Sequence, residues 1–235
     1  MMMKNKGDII AIGGGGFGRT PDNPIIEKYI LDQSQSSKPN ICFFPTASAE
    51  SKEYIDNYYK AFSQLDCNPT HISLFSRTPD VKSEIEKSDI IYVGGGNTKS
   101  MLAVFEEWDI NNFLLKAYND GKILAGVSAG AICWFNQGIT DSWANELKVL
   151  DCLDIIPGCC CPHYDGEKDR KPSVMEFIKS DKIQSCIAIE DGAAVHYKNG
   201  ELLNAISFYK GANVFNISKE NGNIHEIPMD SIEIY

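Results

Sequence analysis

Residues 122–132 read KILAGVSAGAI, an apolar run that ends in the turn Gly126-Val127-Ser128-Ala129-Gly130 and continues into a helical stretch, Ala129–Phe135. This order predicts a buried strand, Lys122–Val127, and a sharp turn that holds the Ser128 hydroxyl out of the sheet. Small residues around the serine leave room for such a turn, and the helix N-terminus directs its N–H groups toward the same place. The stretch therefore predicts an α/β sheet with a nucleophilic serine at its carboxyl edge.

The same alternation of short strands and helices recurs along the chain. Helical spacing is found in Tyr54 to Leu65 and in Met101 to Ala117. Short buried strands that alternate with amphipathic helices predict a three-layer α/β/α fold with a mostly parallel sheet. The further apolar, β-branched runs are Asp8–Ile12, Asn40–Phe44, His71–Leu74, Asp89–Val93 and Cys186–Ile189.

After Asp191 the pattern changes to pairs of runs that flank Asn-Gly turns, which predicts antiparallel hairpins at the sheet edge. An edge of this kind could pair with a second copy of the chain, so a homodimer stays open. No repeat or linker interrupts the sequence, and residues 1–235 are expected to form a single domain. The paired runs are Ala193–Tyr197 with Glu201–Ile206 and Ala212–Ser218 with Ile224–Pro228.

Composition excludes several classes of function. The chain has 235 residues, 43% of them hydrophobic, and a net charge of −10 without a basic stripe, which argues against a nucleic-acid partner. No apolar run is long enough to span a membrane, and no signal-peptide core follows Met1, so we expect a cytoplasmic protein with no membrane partner. The eight cysteines are then expected to be free thiols.

Two glycine turns follow predicted strands. Gly13–Gly18 has the G-x-G-x-x-G spacing of dinucleotide sites, but Phe44-Pro45-Thr46 offers no acid for a ribose, so we predict a tight turn near the cleft and no cofactor. In Gly94-Gly95-Gly96-Asn97, the N–H groups of Gly95 or Gly96, together with that of Ala129, are candidates for an oxyanion hole. Asn97 is the expected N-cap of the next helix.

A serine nucleophile needs a base, and four histidines are available. His163 is the best candidate because it lies in an irregular loop, where a side chain can be directed into a cleft. Glu190, at the end of a predicted strand, is narrowly preferred over Asp141 as the acid that orients it. The run Cys159-Cys160-Cys161 before this loop does not suit a tetrahedral ion, and we predict no metal.

The chain resembles the peptidase E family, which includes aspartyl dipeptidases and, more distantly, cyanophycinases. The resemblance covers most of the chain and implies a fold similar to the class I glutamine amidotransferases, which is flavodoxin-like, with serine in place of cysteine. It also implies a Ser-His-Glu triad on Ser128, His163 and Glu190, or an aspartate near Asp141 as third member. The segments that carry it, in the family's order, are 94–98, 128–131, 162–164 and 190–192.

The resemblance further implies a serine peptidase whose partner is a small peptide, such as a dipeptide with an N-terminal aspartate. A cation is then expected near the serine to hold the aspartate carboxylate. The candidate cations are Arg170, Lys171, Arg19 and Lys99.

The segment around His163 departs from the usual aspartyl dipeptidase pattern, with three cysteines before it and Asp165-Gly166-Glu167 after it. Hydrolysis of a β-linked aspartyl polymer, as in cyanophycinases, or of an ester therefore stays open as an alternative. A second alternative is a non-catalytic module that holds a small ligand at Gly13–Gly18.

Overall fold

The computed structural model describes residues 6–77, 80–144 and 146–235. In it Ile123–Val127 forms an inner strand of the first sheet, and Ala129–Ile132 forms a short helix directly after it. This sheet has eight strands, and five consecutive ones, from Asp8–Ile12 to the edge strand Asn68–His71, run parallel. The first predicted hairpin joins it antiparallel to the strand Asp8–Ile12. In spatial order the strands are β14 (Ser231–Glu233), β11 (Glu201–Ser207), β10 (Ala193–Lys198), β1 (Asp8–Ile12), β5 (Ile123–Val127), β4 (Ile90–Val93), β2 (Asn40–Phe44) and β3 (Asn68–His71).

Helices cover both faces of this sheet. Alternate residues of β1 show the two layers. Ile9 and Ala11 belong to the apolar cluster with the helices at 81–87, 98–107 and 110–119, and Ile10 and Ile12 belong to the cluster with the helices at 25–31 and 52–62. The predicted three-layer α/β/α fold with a mostly parallel sheet is confirmed. The helices are α1 (Ile25–Leu31), α2 (Lys52–Phe62), α3 (Val81–Lys87), α4 (Thr98–Glu107), α5 (Ile110–Asn119), α6 (Ala129–Ile132) and α7 (Arg170–Lys179).

A second sheet of six strands was not predicted. The helical reading of Ala129–Phe135 is wrong beyond Ile132, because the buried Phe135 begins a long strand instead. The run near Cys186 and the second hairpin also join this sheet and not the first. In spatial order its strands are β13 (Asn223–Pro228), β12 (Val214–Glu220), β9 (Ser185–Ile189), β8 (Ile156–Cys161), β6 (Phe135–Trp143) and β7 (Glu146–Asp151).

The second sheet matters to function because β8 and β9 run parallel. Their carboxyl ends therefore bring the residues after Cys161 and after Ile189 to one edge. At that edge Gly14 forms a β-bridge with Asp191, and the His163 N–H donates to the Gly13 carbonyl at 3.3 Å. The end of β1 in the first sheet is thereby joined to the ends of β8 and β9 in the second.

In the part of the chain that the structure describes, no helix has both the length and the apolar character required to cross a bilayer.

Candidate active site

Ser128 occupies the turn between β5 and α6 in a backbone conformation that few residues adopt. Its φ is +56° and its ψ is −110°, and its N–H donates to the carbonyl of Ile12 at 3.0 Å. Gly130 permits this turn, because a methyl group there would lie 2.0 Å from the carbonyl oxygen of Val93. The local sequence therefore presents the half-buried Ser128 side chain at the carboxyl edge of the first sheet.

His163 reaches Ser128 from the second sheet. Its Nε2 lies 2.8 Å from Ser128 Oγ, and its side chain is only 11% exposed. The residue follows β8 after Pro162 and has a φ of +52°. The structure thus places the two residues predicted as nucleophile and base within hydrogen-bond distance of each other.

The acid that contacts His163 is Asp191. His163 Nδ1 lies 2.6 Å from Asp191 Oδ1, so Nδ1–H donates to the carboxylate and Nε2 accepts from the Ser128 hydroxyl. The expectation for the neighbouring Glu190 is wrong, since its carboxylate accepts the backbone N–H of Asn213 at 2.7 Å and its amide at 3.1 Å. Successive side chains leave an extended chain on opposite sides, so only one of the two acids can face His163.

Asp141, the alternative candidate, does not contact His163 either. It lies on β6 with its side chain 64% exposed, and its Oδ1 is 3.6 Å from Arg170 Nη2. Both ring nitrogens of His163 are already paired with Ser128 and Asp191. Asp141 lines the same cleft and belongs to its wall.

Asp191 is held as a carboxylate. Partial burial acts to raise its pKa, but hydrogen bonds from His163 and Arg19 and the positive charges of these residues lower the pKa to about 2. Arg19 Nη1 pairs with Asp191 Oδ2, and the Asp191 N–H donates to Asp165 Oδ1 at 2.9 Å. The carboxylate is therefore charged and fixed in place throughout the neutral range.

The first glycine turn, Gly13–Gly18, packs against His163 and Asp191. A methyl group at Gly14 would lie 1.9 Å from Asp191 Oδ1 and 2.6 Å from His163 Nδ1. Only glycine allows the chain to pass this close to both side chains. Gly13–Gly18 is thus a tight turn beside the cleft, as predicted, and it supports the histidine and the aspartate.

The second glycine turn lies beside Ser128. A methyl group at Gly95 would lie 3.8 Å from Ser128 Oγ, but the Gly95 N–H donates to Tyr54 Oη at 3.2 Å. The Gly95 amide is therefore engaged, and Gly96, which lines the cleft, and Ala129, the first residue of α6, are the better oxyanion candidates. Asn97 is the N-cap of α4, since its side chain accepts from the Ser100 N–H at 2.9 Å.

The cleft in front of Ser128 has a volume of about 290 Å³. Arg170, at the start of α7, is its buried cation: Nη1 donates to the carbonyl of Ile139 at 2.8 Å, and Nε donates to Glu167 at 2.7 Å. The cleft thus combines one guanidinium with two carboxylates, those of Asp141 and Glu167.

The other three candidate cations, Arg19, Lys171 and Lys99, contact side chains outside the cleft. Arg19 pairs with Asp191, and Lys171 pairs with Glu226 at 2.7 Å. Lys99 Nζ lies 5.0 Å from the centre of the Trp143 ring. Of the four candidates, Arg170 is the one that lines the cleft.

The arrangement has the connectivity required for nucleophilic catalysis. A hydroxyl is hydrogen-bonded to an imidazole, the imidazole is hydrogen-bonded to a carboxylate, and a helix N-terminus begins directly after the serine. The sequence placed an acid in the Glu190-Asp191-Gly192 turn, but it did not indicate which of the two acids faces His163. No local pattern indicated that Tyr54 accepts the Gly95 N–H or that Arg19 pairs with Asp191.

Comparison with known proteins places the chain in a family. The model of peptidase family S51 matches residues 9–204, which include Ser128, His163 and Asp191. The chain belongs to peptidase family S51. This S51 member is a serine-type peptidase, and the predicted resemblance to peptidase E is confirmed.

Its relatives agree with this assignment. The S51 chain is 46% identical over 222 residues to the uncharacterized peptidase YgaJ of Bacillus subtilis (strain 168), covering 94% of this chain and 96% of that one. It is 26% identical to Peptidase E of Shewanella denitrificans, over 82% of this chain and 86% of the relative. The crystal structure of a peptidase from an acI-B1 Actinobacterium has the same fold, with a TM-score of 0.67 at 16% identity, covering 97% of this chain and 96% of the other.

Proposed function

We propose that this peptidase hydrolyses short peptides, above all dipeptides with an N-terminal aspartate, through an acyl-enzyme on Ser128. The observation that carries the proposal is the continuous hydrogen-bonded chain from Ser128 Oγ through His163 to Asp191, at 2.8 and 2.6 Å. In this proposal Ser128 is the nucleophile, His163 the base and Asp191 the acid that orients it.

The proposed reaction is acyl transfer in which His163 carries the proton from Ser128 to the leaving amine. His163 Nε2 accepts the hydroxyl proton as Ser128 Oγ attacks the peptide carbonyl, while Asp191 stabilises the imidazolium. The N–H groups of Ala129 and Gly96 donate to the oxyanion. The imidazolium then gives its proton to the leaving amine, and a water molecule activated by the same His163 hydrolyses the ester.

The charges of the cleft support a small, doubly charged substrate. The Arg170 guanidinium suits a side-chain carboxylate, and the carboxylates of Asp141 and Glu167 suit a free ammonium group. A peptide with an N-terminal aspartate carries both charges close together. The volume of about 290 Å³ favours one such residue over a long side chain.

A peptide panel tests the substrate class. Asp-X, Glu-X, neutral and β-linked aspartyl dipeptides are each incubated with the enzyme, and the free amino acids released are measured. We expect Asp-X to be cleaved fastest, and Arg170→Gln to lower kcat/KM for Asp-X by about 10-fold or more, as expected for loss of a charged contact of 1.5–3 kcal/mol. Hydrolysis of neutral dipeptides at the same rate as Asp-X would contradict the proposed specificity.

We also propose that the enzyme works in the cytoplasm. All eight of its cysteines are free thiols, and seven of these are buried. Compartments that keep thiols reduced suit such a protein. Cell fractionation with an antibody against the chain would test this, and its recovery in the secreted fraction would contradict it.

A further inference from the structure

Glu27 is a buried carboxyl group that the proposed mechanism does not use. It lies on α1 with 0% of its surface exposed, and its Oε1 accepts the backbone N–H of Phe17 at 2.6 Å. Its other oxygen, Oε2, has no hydrogen-bond partner among the described residues. A carboxyl group in this position costs stability, which suggests that its contact with Phe17 has a function.

The surroundings of Glu27 include the side chains of several tyrosines. The titratable groups that face it are Tyr54 of α2 and Tyr92 of β4, and the hydroxyl of Tyr209, which follows β11, lies beside the same turn near Gly15. Burial raises the pKa of Glu27 to about 7, although the hydrogen bonds from the backbone N–H groups of Glu27 and Phe17 act to lower it. The group therefore changes its charge in the physiological range.

The partner of Glu27 belongs to the turn that supports the active site. Phe17 is the last residue but one of Gly13–Gly18, and its ring is packed against Phe43 and Tyr54, with ring centres 5.3 and 5.0 Å away. Three residues before Phe17, Gly14 contacts His163 and Asp191. Two residues after it, Arg19 pairs with Asp191, and the Arg19 N–H closes the turn on the Gly16 carbonyl at 2.9 Å.

We propose that Glu27 is a positioning residue for the active site. Its hydrogen bond to the Phe17 amide holds the Gly13–Gly18 turn in the shape that sets Arg19 on Asp191 and keeps Gly14 against the His163–Asp191 pair. The inference rests on the proposed roles of His163 and Asp191. Because an ionised carboxylate is the stronger acceptor, the turn is held most firmly when Glu27 is charged.

Two substitutions separate positioning from a purely structural role. Glu27→Gln keeps an oxygen acceptor of the same shape but cannot ionise, and Glu27→Leu removes the acceptor. For Glu27→Leu we expect kcat and the rate of fluorophosphonate labelling to fall about 10-fold with KM little changed, because small displacements of catalytic groups have effects of this size or larger. Glu27→Gln should restore most of the rate.

The pH profile is the decisive measurement. The ratio of kcat/KM for wild type to that for Glu27→Gln should be near 1 below pH 6, where both acceptors are neutral, and rise to about 3 above pH 8, where the wild-type carboxylate is charged. A ratio that does not change with pH would overturn the proposal. So would a folded Glu27→Leu variant that is labelled as fast as wild type.

A readout without turnover distinguishes this inference from the proposed function. The His163 Nδ1–H proton, which is hydrogen-bonded to Asp191, should give a far-downfield NMR resonance in wild type and Glu27→Gln and a shifted or broadened one in Glu27→Leu. An unchanged resonance in Glu27→Leu would overturn the role of Glu27. Absence of both hydrolysis and labelling in the wild type would instead overturn the proposed function.

Discussion

The two sides of the candidate site are built in different ways. Ser128 is presented by a strand, a turn and a helix that are consecutive in sequence, within residues 123–132. His163 and Asp191 come from the ends of β8 and β9, 28 residues apart, and meet only because these strands are neighbours in the second sheet. The first side is encoded locally, whereas the second depends on assembly of two sheets around the Gly13–Gly18 turn.

The largest expected effect concerns the acid on the assembled side. Asp191→Asn should lower kcat by about 10⁴, because an amide no longer holds His163 in the tautomer that accepts the Ser128 proton. Glu190→Gln is the matched control, because its side chain keeps an oxygen acceptor for Asn213. Its kcat should stay within about threefold of the wild-type value, since that hydrogen bond is retained. Steady-state kinetics on the best dipeptide measures both, and a larger loss for Glu190→Gln would contradict the assignment of Asp191.

A smaller effect is expected at the turn that joins the two sides. Gly14→Ala should lower kcat/KM by about 100-fold, because the methyl group displaces His163 and Asp191 relative to Ser128. Gly222→Asn is the control, since a Cβ added at this exposed hairpin glycine would have no described atom within 4 Å and asparagine tolerates its positive φ. Full activity in Gly14→Ala would show that the turn does not set the geometry of the pair.

The smallest effect is on stability in acid. The pKa of Asp191 is about 2 in the folded protein, below its usual value of 3.8, so its stabilising contribution is present above pH 4 and is lost as the pH falls toward 2. Since Arg19 is 57% exposed and its charge is partly screened, we expect a loss of about 1–2 kcal/mol.

Urea unfolding of wild type and Asp191→Asn at pH 6 and pH 2 measures this loss. The difference in free energy of unfolding between the two proteins should shrink by that amount in acid. A difference that is the same at both pH values would mean that Asp191 is not held as a carboxylate by His163 and Arg19.

The same contrast explains what could be predicted from the sequence. Local apolar patterns predict the central strands and the helices α2, α4 and α5. Turn residues predict the sharp turn at Ser128. The second sheet was missed because β6 follows directly after a helical start and is half-exposed over much of its length, so its pattern resembles neither a helix face nor a buried strand.

The carboxylate that contacts His163 belongs to Asp191, one residue after the predicted Glu190. In an extended chain a shift of one residue moves a side chain to the other face, and the choice between Glu190 and Asp191 depends on contacts with Asn213 and Gly14, which are distant in sequence. Arg170, one of the four cations named as candidates from the sequence, lines the cleft and closely follows His163 along the chain. Tyr54 and Glu27 gave no local signal, since their partners are backbone groups of remote turns.

The most direct test of the central claim is intact-mass analysis and peptide mapping after incubation with a fluorophosphonate. We predict that wild type gains one phosphonyl group on Ser128, that Ser128→Ala gains none, and that Asp191→Asn is labelled far more slowly than Glu190→Gln. Equal labelling of wild type and Ser128→Ala, or an adduct on another residue, would contradict the account.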